Sequence, residues 1–270
     1  MSRILTDDQA TVVAADHERA RRDVAAMRRV TATHPAMTIE DAYACQQAWV
    51  ELQIDSGATL IGHKIGLTSR AMQQAMRIDE PDFGALLDHM VIPDGGVVAA
   101  ASYLDPKVEV ELAFVLAHRL SGPDVSVADV IAATEHVVPA LELIDARSFR
   151  VDPDDGVSRT VRDTIADNAA DAGVVWGGEP IDPSAVDLRW IGAIMRRNDI
   201  VEETGLAAGV LDDPALGVAW LARRLHRFGV ALEPGEVILA GSFTRPVDAR
   251  AGDWFEVDFA DHGILTLRFT

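Results

Sequence analysis

Two glutamates stand two positions apart in the segment 107–114 (KVEVELAF), where apolar and charged residues alternate. This period-two pattern is typical of a β-strand, so Glu109 and Glu111 project side by side from one face, together with Lys107, while the apolar side chains line the other face. A solvated strand face is one interpretation, because half-exposed antiparallel strands often have this pattern. The other interpretation is a site built on paired carboxylates.

A third carboxylate, Glu142, lies inside the apolar run 137–147 (VVPALELIDAR). Burying a carboxylate without a partner is costly, so Glu142 is expected to have one. Clustering with Glu109 and Glu111 would suit a hard divalent cation that takes oxygen ligands. Mg²⁺ or Mn²⁺ fits such a cluster better than Zn²⁺, for which His or Cys ligands are expected. The sequence alone does not show that the three glutamates meet.

Lys64 and Asp82 are candidates for proton transfer. Lys64 stands between glycines in the segment 62–68 (GHKIGLT), and glycines allow a ligand to approach the backbone closely. Asp82 lies in the loop 79–84 (DEPDFG), which Pro and Gly punctuate. Ordinary surface positions are the alternative for both residues. If the fold brings them together, burial near a metal would tune both groups towards neutral pH and make an acid/base pair.

Ser242, Thr244 and Arg245 follow the apolar strand 237–240 (VILA) in the segment 241–246 (GSFTRP). Two hydroxyls and a guanidinium at a strand end are suited to contacting a polar ligand, although a structural turn is the default interpretation.

Cap residues predict the helices that frame these segments. The caps are Thr6 with Gln9, Thr38 with Asp41, Ser126 with Asp129, and Asp213 with Pro214. After the Thr6 cap, apolar residues recur at helical spacing up to Met27. After the Thr38 cap, the same spacing continues until Gly57 interrupts it.

The chain changes from helical to β-rich texture around residues 58–78, which predicts a helical N-terminal region over 1–70 and a mainly β domain over 71–270. The predicted β-rich runs are TLIGHKIGL, MVIPDGGVV, KVEVELAFVL, VILAG, WFEVDF and GILTLRF. No Gly-x-Gly-x-x-Gly or Walker pattern occurs, so a nucleotide-binding assignment has no support.

Composition excludes several classes of protein. The 270 residues are 49% hydrophobic and 25% charged, which indicates a globular chain. A net charge of −19 opposes binding to nucleic acid. Cys45 is the only cysteine, so a cystine-stabilised secreted protein is excluded and a reducing cytosol is favoured. No signal peptide or membrane-spanning run is recognisable, so a soluble cytoplasmic protein is expected.

Separated motifs from about residue 38 to the C-terminus resemble the fumarylacetoacetate hydrolase superfamily, in its hydratase and decarboxylase branch. They are GHKIGLTSRAMQ, IDEPDFGALLD, PKVEVELAFVL, PALELIDAR, DNAADAG, EETGLAAGVLDDPALGVAWLA and GSFTRPV. The resemblance implies an α+β fold, mainly a β sandwich or rolled barrel with an N-terminal helical region, and a homo-oligomer.

The resemblance also implies site roles. The family's metal carboxylates fall on Glu109, Glu111 and Glu142, with Mg²⁺ as the expected ion and Mn²⁺ possible, and its acid/base residues fall on Lys64 and Asp82. Family members that hydrolyse carbon–carbon bonds use a His–Glu pair on an N-terminal lid. No such pair is identified here, because His34 precedes Pro35 in a predicted loop and His63 adjoins Lys64. Hydrolase activity is therefore disfavoured.

The reaction that the resemblance implies is hydration of 2-hydroxyhepta-2,4-diene-1,7-dioate in the meta-cleavage catabolism of aromatic compounds. Arg245 or Arg147 is expected to bind the distal carboxylate, with Ser242 and Thr244 beside the substrate. The alternatives are decarboxylation of 4-oxalocrotonate, hydration of 2-hydroxypenta-2,4-dienoate, and a non-catalytic subunit of a hydratase–decarboxylase complex.

Overall fold

The computed structural model describes residues 3–70, 73–74 and 78–270. Ala71 and Met72, which belong to the GHKIGLTSRAMQ motif and to the predicted domain boundary, lie outside the described residues, as do Met1 and Ser2.

The described helices include all four that cap residues predicted. They are α1 (Asp7–Asp23), α2 (Val30–Thr33), α3 (Ile39–Asp55), α4 (Val127–Ala133), α5 (Val161–Ala166) and α6 (Pro214–His226). Helix α1 ends before Met27, where the apolar pattern extended, because Val24 adopts a left-handed conformation with φ 46°. Met27 instead bridges to Ser148. The short helices α2 and α5 were not predicted.

The strands form two sheets. Their bounds are β1 (Leu60–Gly66), β2 (Asp82–Leu87), β3 (Gly96–Val98), β4 (Lys107–Leu116), β5 (Thr134–Ile144), β6 (Asp171–Trp176), β7 (Gly192–Arg197), β8 (Ile200–Leu206), β9 (Val237–Leu239), β10 (Val247–Asp248), β11 (Trp254–Asp258) and β12 (Ile264–Phe269). The larger sheet has the order β2-β1-β9-β4-β5-β6, with β10 also paired to β4, and the smaller has the order β3-β12-β11-β7-β8.

The main apolar core contains side chains from both sheets, such as Val110 and Phe114 from β4 and Phe255 and Val257 from β11. A smaller apolar cluster lies on the opposite face of the larger sheet, around Ala113 and Leu239. The predicted α+β class, mainly β with helices at the N-terminus, is confirmed. Among the helices that the structure describes, none combines the length and apolarity needed to cross a membrane.

The N-terminal helices brace the strands that carry candidate site residues. Helix α1 packs on α3, and α3 packs on α5. From α3, the buried Gln46 side chain donates hydrogen bonds to the backbone oxygens of Phe83 in β2, at 2.8 Å, and Ile165 in α5, at 3.1 Å. Strand β1, which the predicted division placed in the N-terminal region, pairs with β2 and β9 inside the larger sheet.

Candidate active site

The register of two strands brings the three glutamates together. In the antiparallel pair β4–β5, Glu109 lies opposite Glu142 and Glu111 lies opposite Ala140. Directly paired residues share a sheet face, so Glu111, two positions along the same strand, joins the other two. One carboxylate oxygen from each glutamate lies within 4.8 Å of those of the other two. We call these three residues the acid cluster.

The acid cluster is not a solvated strand face. Glu111 and Glu142 are buried, and Glu109 is half-buried. The Gly241 N–H donates a hydrogen bond of 2.8 Å to Oε2 of Glu111, while Oε1 of Glu111 has no hydrogen-bond partner among the described residues. Buried polar atoms are normally hydrogen-bonded, so this oxygen is available for a ligand.

Lys64 supplies a positive charge at the edge of the acid cluster. Its backbone pairs with Leu239 of β9, which pairs in turn with Ala113 of β4, so its side chain lies on the face that carries the cluster. The buried Nζ atom lies 3.0 Å from Oε1 of Glu142. The expected partner of Glu142 is therefore Lys64.

Asp82 is the first residue of β2 and pairs with Gly66 at the end of β1, which brings its side chain close to Lys64. A Cβ atom on Gly66 would lie 2.2 Å from Oδ1 of Asp82 and 3.4 Å from Nζ of Lys64. The Asp82 carboxylate and the Lys64 ammonium group therefore both lie next to Gly66. The absence of a side chain at Gly66 makes room for Asp82, whereas the sequence analysis expected the glycines around Lys64 to make room for a ligand.

Burial shifts the pKa values of Asp82, Glu109 and Glu111 upwards. It raises the pKa of Asp82 to about 6, against the attraction of Lys64, and raises the pKa of Glu109 to about 8, with the charge of Glu142 adding to the effect. Burial and the charge of Glu142 also raise the pKa of Glu111 well above its ordinary value. For Lys64, burial favours the neutral amine, but the neighbouring carboxylates outweigh it and raise the pKa above its usual value.

The acid cluster has the donor set of a hard divalent cation. It offers only carboxylate oxygens, one of them buried and unpartnered, and Lys64 is the cation paired with it in the described part of the chain. Bringing three carboxylates together without a cation is unfavourable, as the raised pKa values show. The residues therefore fit Mg²⁺ or a similar ion better than a metal that prefers nitrogen or sulfur.

The segment after β9 runs alongside β4 beside the acid cluster. Thr244 Oγ1 accepts a hydrogen bond of 3.3 Å from the Val110 N–H, which lies between the two β4 glutamates. Ser242 Oγ donates to the Thr244 backbone oxygen at 3.0 Å. Both predicted hydroxyls thus shape this segment next to the site, and their predicted contact with substrate stays a prediction.

The two arginines predicted to bind a distal carboxylate have other partners. The Arg245 side chain is 84% exposed and forms an ion pair of 2.6 Å with Glu203. Arg147 is buried, donates to the backbone oxygens of Asp167 and Asp171 at 3.1 and 2.7 Å, and pairs with the Asp167 carboxylate. The structure thus gives no support to the expected role of either arginine at the distal carboxylate, because Arg245 is exposed and paired and Arg147 joins backbone segments.

A His–Glu pair does exist, but not at the acid cluster. Nδ1 of His63 lies 3.5 Å from Oε2 of Glu236, and both residues are largely buried. His63 and Lys64 are consecutive in β1, so their side chains point to opposite faces of the sheet. The His63 side chain therefore does not face the acid cluster.

Sequence reasoning missed Asp171. It begins β6, pairs with Ile144 of β5, and is fully buried with no hydrogen-bond partner for either carboxylate oxygen among the described residues. The signal available was an acid just before the apolar run 173–176 (GVVW), the same pattern that drew attention to Glu142.

Comparison with known proteins confirms the family resemblance. A model of the fumarylacetoacetate (FAA) hydrolase C-terminal domain matches residues 62–270. The chain is 54% identical over 259 residues to the 2-oxo-hept-4-ene-1,7-dioate hydratase of Escherichia coli, covering 96% of this chain and 97% of that protein. It is 39% identical over 255 residues to the 2-hydroxyhexa-2,4-dienoate hydratase of Comamonas testosteroni, covering 93% and 94% of the two chains.

A solved structure covers the whole chain. The 4-oxalocrotonate decarboxylase from Pseudomonas putida G7, complexed with magnesium and adipate, superposes with a TM-score of 0.94 at 34% sequence identity, covering 100% of both chains. The similarity therefore includes the N-terminal helices as well as the two sheets.

Proposed function

The chain belongs to the fumarylacetoacetate hydrolase family, and we propose that it catalyses metal-dependent hydration of 2-hydroxyhepta-2,4-diene-1,7-dioate to 4-hydroxy-2-oxoheptane-1,7-dioate. This reaction belongs to the meta-cleavage catabolism of aromatic compounds. The observation that carries the proposal is the buried acid cluster with Lys64 and Asp82 at its edge, in a chain 54% identical to a hydratase of this substrate class.

Glu109, Glu111 and Glu142 would hold the divalent cation, which we propose to be Mg²⁺, with Mn²⁺ as an alternative. The magnesium complex of the similar decarboxylase supports this choice. A cation bound there would stabilise the negative charge that develops on the C2 oxygen of the substrate.

Asp82 is suited to carry the proton, because a pKa of about 6 makes both of its forms accessible near neutral pH. In the proposed reaction its carboxylate accepts the proton of the C2 hydroxyl and delivers it to C5, giving the 2-oxo-3-enoate. It then accepts a proton from the water whose oxygen adds to C4 and returns a proton to C3. Lys64 stays an ammonium group that orients the reacting oxygen atoms.

Decarboxylation of 4-oxalocrotonate is the second candidate, since a decarboxylase of that substrate superposes on the whole chain. The same acid cluster would stabilise the dienolate left by loss of carbon dioxide. Hydration of 2-hydroxypenta-2,4-dienoate is a third, favoured by the ion pair that Arg245 makes with Glu203. A non-catalytic subunit is disfavoured, because the acid cluster, Lys64 and Asp82 converge as an active site requires.

The deciding experiment incubates the purified protein with Mg²⁺ and each of the three substrates in turn. We expect the dienol absorbance of the heptadienedioate to fall without release of carbon dioxide, and 4-hydroxy-2-oxoheptanedioate to form. Release of carbon dioxide from 4-oxalocrotonate at a higher kcat/KM would replace the proposal with the decarboxylase. Faster turnover of the pentadienoate would replace it with the shorter-chain hydratase.

Further proposals concern the protein as a whole. We propose that it is a cytoplasmic homo-oligomer, because the family resemblance implies an oligomer and the buried Cys45 needs no oxidising compartment. The division into a helical region over 1–70 and a catalytic domain over 71–270 is also kept as a proposal, with β1 belonging to the catalytic sheet. Ser242 and Thr244 remain proposed substrate contacts.

A further inference from the structure

Asp171 lies on the face of the larger sheet that carries the acid cluster. It pairs with Ile144 of β5 past a register irregularity at Ala172 of β6, and Ile144 shares a face with Glu142 because the two lie two positions apart in β5. Its side chain is 0% exposed, and neither of its carboxylate oxygens has a hydrogen-bond partner among the described residues. A buried polar group of this kind calls for an explanation such as a catalytic role.

The backbone that leads into Asp171 is strained. Asn168, Ala169 and Ala170 have φ values of 49°, 51° and 63°, a left-handed conformation that is unfavourable for residues with a Cβ. Such strain persists only where surrounding contacts impose it, and it concentrates at functional sites.

The contacts that impose this conformation are all buried. The Asn168 side chain accepts a hydrogen bond of 2.8 Å from the Ala85 N–H and donates one of 2.9 Å to the Ala85 oxygen, which ties the segment to β2. The Arg147 guanidinium donates to the backbone oxygens of Asp167 and Asp171 on either side of the strained residues. The fold thus fixes the direction in which β6 begins.

We propose that Asp171 is a positioning residue whose carboxyl oxygen accepts a hydrogen bond that holds the Lys64 ammonium group in place beside the acid cluster during the reaction. This inference rests on the proposed function, because Lys64 acts there. Glu142 pairs with Lys64 at 3.0 Å but would also ligate the cation, so a second acceptor is needed to fix the ammonium group. Among the described residues Lys64 pairs with Glu142 and the Asp171 oxygens have no partner, so the proposed contact would form when the cation takes Glu142.

Two variants separate positioning from a structural role. Asp171→Leu has similar size but no acceptor, and we expect it to lower kcat about tenfold to hundredfold, with KM within about threefold of wild type. Asp171→Asn keeps an acceptor oxygen, and we expect its kcat to stay within about threefold. The thermal midpoint of Asp171→Leu should be no lower than that of wild type, because a buried unpartnered acid is removed.

A double variant and a control complete the design. In the Lys64→Ala background, Asp171→Leu should cause no further loss of kcat, because the two residues act as a unit. The control is Asp145→Leu, which removes a buried carboxylate that accepts hydrogen bonds from the Leu104 and Asp105 N–H groups. That variant should lose stability while the folded enzyme keeps its kcat.

A readout that does not depend on turnover is the rate at which acetic anhydride acetylates Lys64, measured by mass spectrometry at a fixed pH. We expect Asp171→Leu to raise this rate at least about threefold over wild type, and Asp171→Asn to leave it unchanged. An unchanged rate in Asp171→Leu, or multiplicative losses of kcat in the double variant, would overturn the proposal. If wild type turns over none of the three substrates, the proposed function fails, and the acetylation rate still decides the role of Asp171.

Discussion

Glu111 is the member of the acid cluster whose substitution best separates metal binding from folding. Glu111→Gln keeps the side-chain shape, and its amide oxygen can still accept the Gly241 N–H. Because burial already favours the neutral form of this carboxyl, by raising its pKa, we expect the variant to fold with a thermal midpoint close to that of metal-free wild type. Its turnover should fall below about one per cent, since an amide is a weak ligand for a hard cation.

The measurements are kcat and the thermal midpoint with and without Mg²⁺. Wild type should show a midpoint that rises with Mg²⁺, and Glu111→Gln should show none of this rise. Retained turnover in the variant, or full wild-type activity after exhaustive chelation, would contradict the metal role of the cluster.

We expect the substitution Asp82→Asn to raise the stability of the protein at high pH and to lower its activity. The folded-state pKa of Asp82, about 6, lies above the ordinary 3.8, so protonation is favoured by folding. Its contribution to the free energy of unfolding is therefore present below about pH 4 and is lost as the pH rises to about 6. At pH 8 the metal-free Asp82→Asn variant should be about 2–3 kcal/mol more stable than wild type, with no gain at pH 4.

The same substitution should lower kcat by about two to four orders of magnitude, the scale of a positioned acid/base group. Chemical denaturation at both pH values in chelator, together with steady-state kinetics in Mg²⁺, tests both effects. If the variant and wild type differ equally in stability at pH 4 and pH 8, and the variant keeps the wild-type kcat, this role of Asp82 is contradicted.

We expect Arg245 to contribute less to substrate discrimination than the sequence suggested. A desolvated clamp would discriminate between the diacid and the pentadienoate by about 30-fold to 1000-fold. An 84% exposed guanidinium paired with Glu203 is worth only about 0–1 kcal/mol. We therefore expect Arg245→Leu to change the ratio of kcat/KM values for the two substrates by less than about fivefold, and Glu203→Gln to shift it in favour of the diacid. A decrease of 30-fold or more in this ratio in Arg245→Leu would instead show that Arg245 binds the distal carboxylate.

At the scale of the elements, the close contact of β1 and β2 is as important as the acids themselves. In Gly66→Ala the new Cβ would lie 2.2 Å from Oδ1 of Asp82, so the carboxyl group must move. A displacement of about 1 Å costs about a hundredfold in rate, and we expect kcat to fall by about that factor in a folded protein. The control is Gly209→Ala, whose Cβ would make only an ordinary contact of 3.6 Å with Phe243. Equal kcat values for the two variants would contradict this view of Gly66.

Local signals predicted much of the fold. Helix caps such as Thr6 and Thr38 are local hydrogen bonds, and the alternation in β4 follows from strand geometry, so both can be recognised from the sequence. The family resemblance supplied the expectation that the glutamates share a metal site, and the register of β4 against β5 accounts for their convergence.

Long-range pairing is what the sequence did not reveal. The partner of Arg245 comes from β8, 42 positions away. The left-handed run before Asp171 contains two alanines, which have no intrinsic preference for that conformation and adopt it only because Asn168 and Arg147 hold the segment. Such features depend on contacts that no local pattern encodes.

At the scale of the whole molecule, stability and metal binding are separable. The two sheets share one apolar core, and the acid cluster lies on the face of the larger sheet opposite the β4 side chains that enter this core. A chain of 270 residues with such a core does not need an ion to fold. We therefore expect the chelator-treated protein to keep its near-ultraviolet circular dichroism, to which its five tryptophans contribute.

Adding Mg²⁺ should then raise the thermal midpoint, because a cation that binds only the folded state stabilises it by mass action. At about a hundred times its Kd the gain is about 2.7 kcal/mol, which corresponds to a rise of about 5–10 °C for a protein of this size. Na⁺ at matched ionic strength is the control, since screening of the net charge of −19 alone would act equally with either salt. Loss of the near-ultraviolet signal in chelator would show that the ion is structural, and an equal rise with Na⁺ would show that the acid cluster does not bind it.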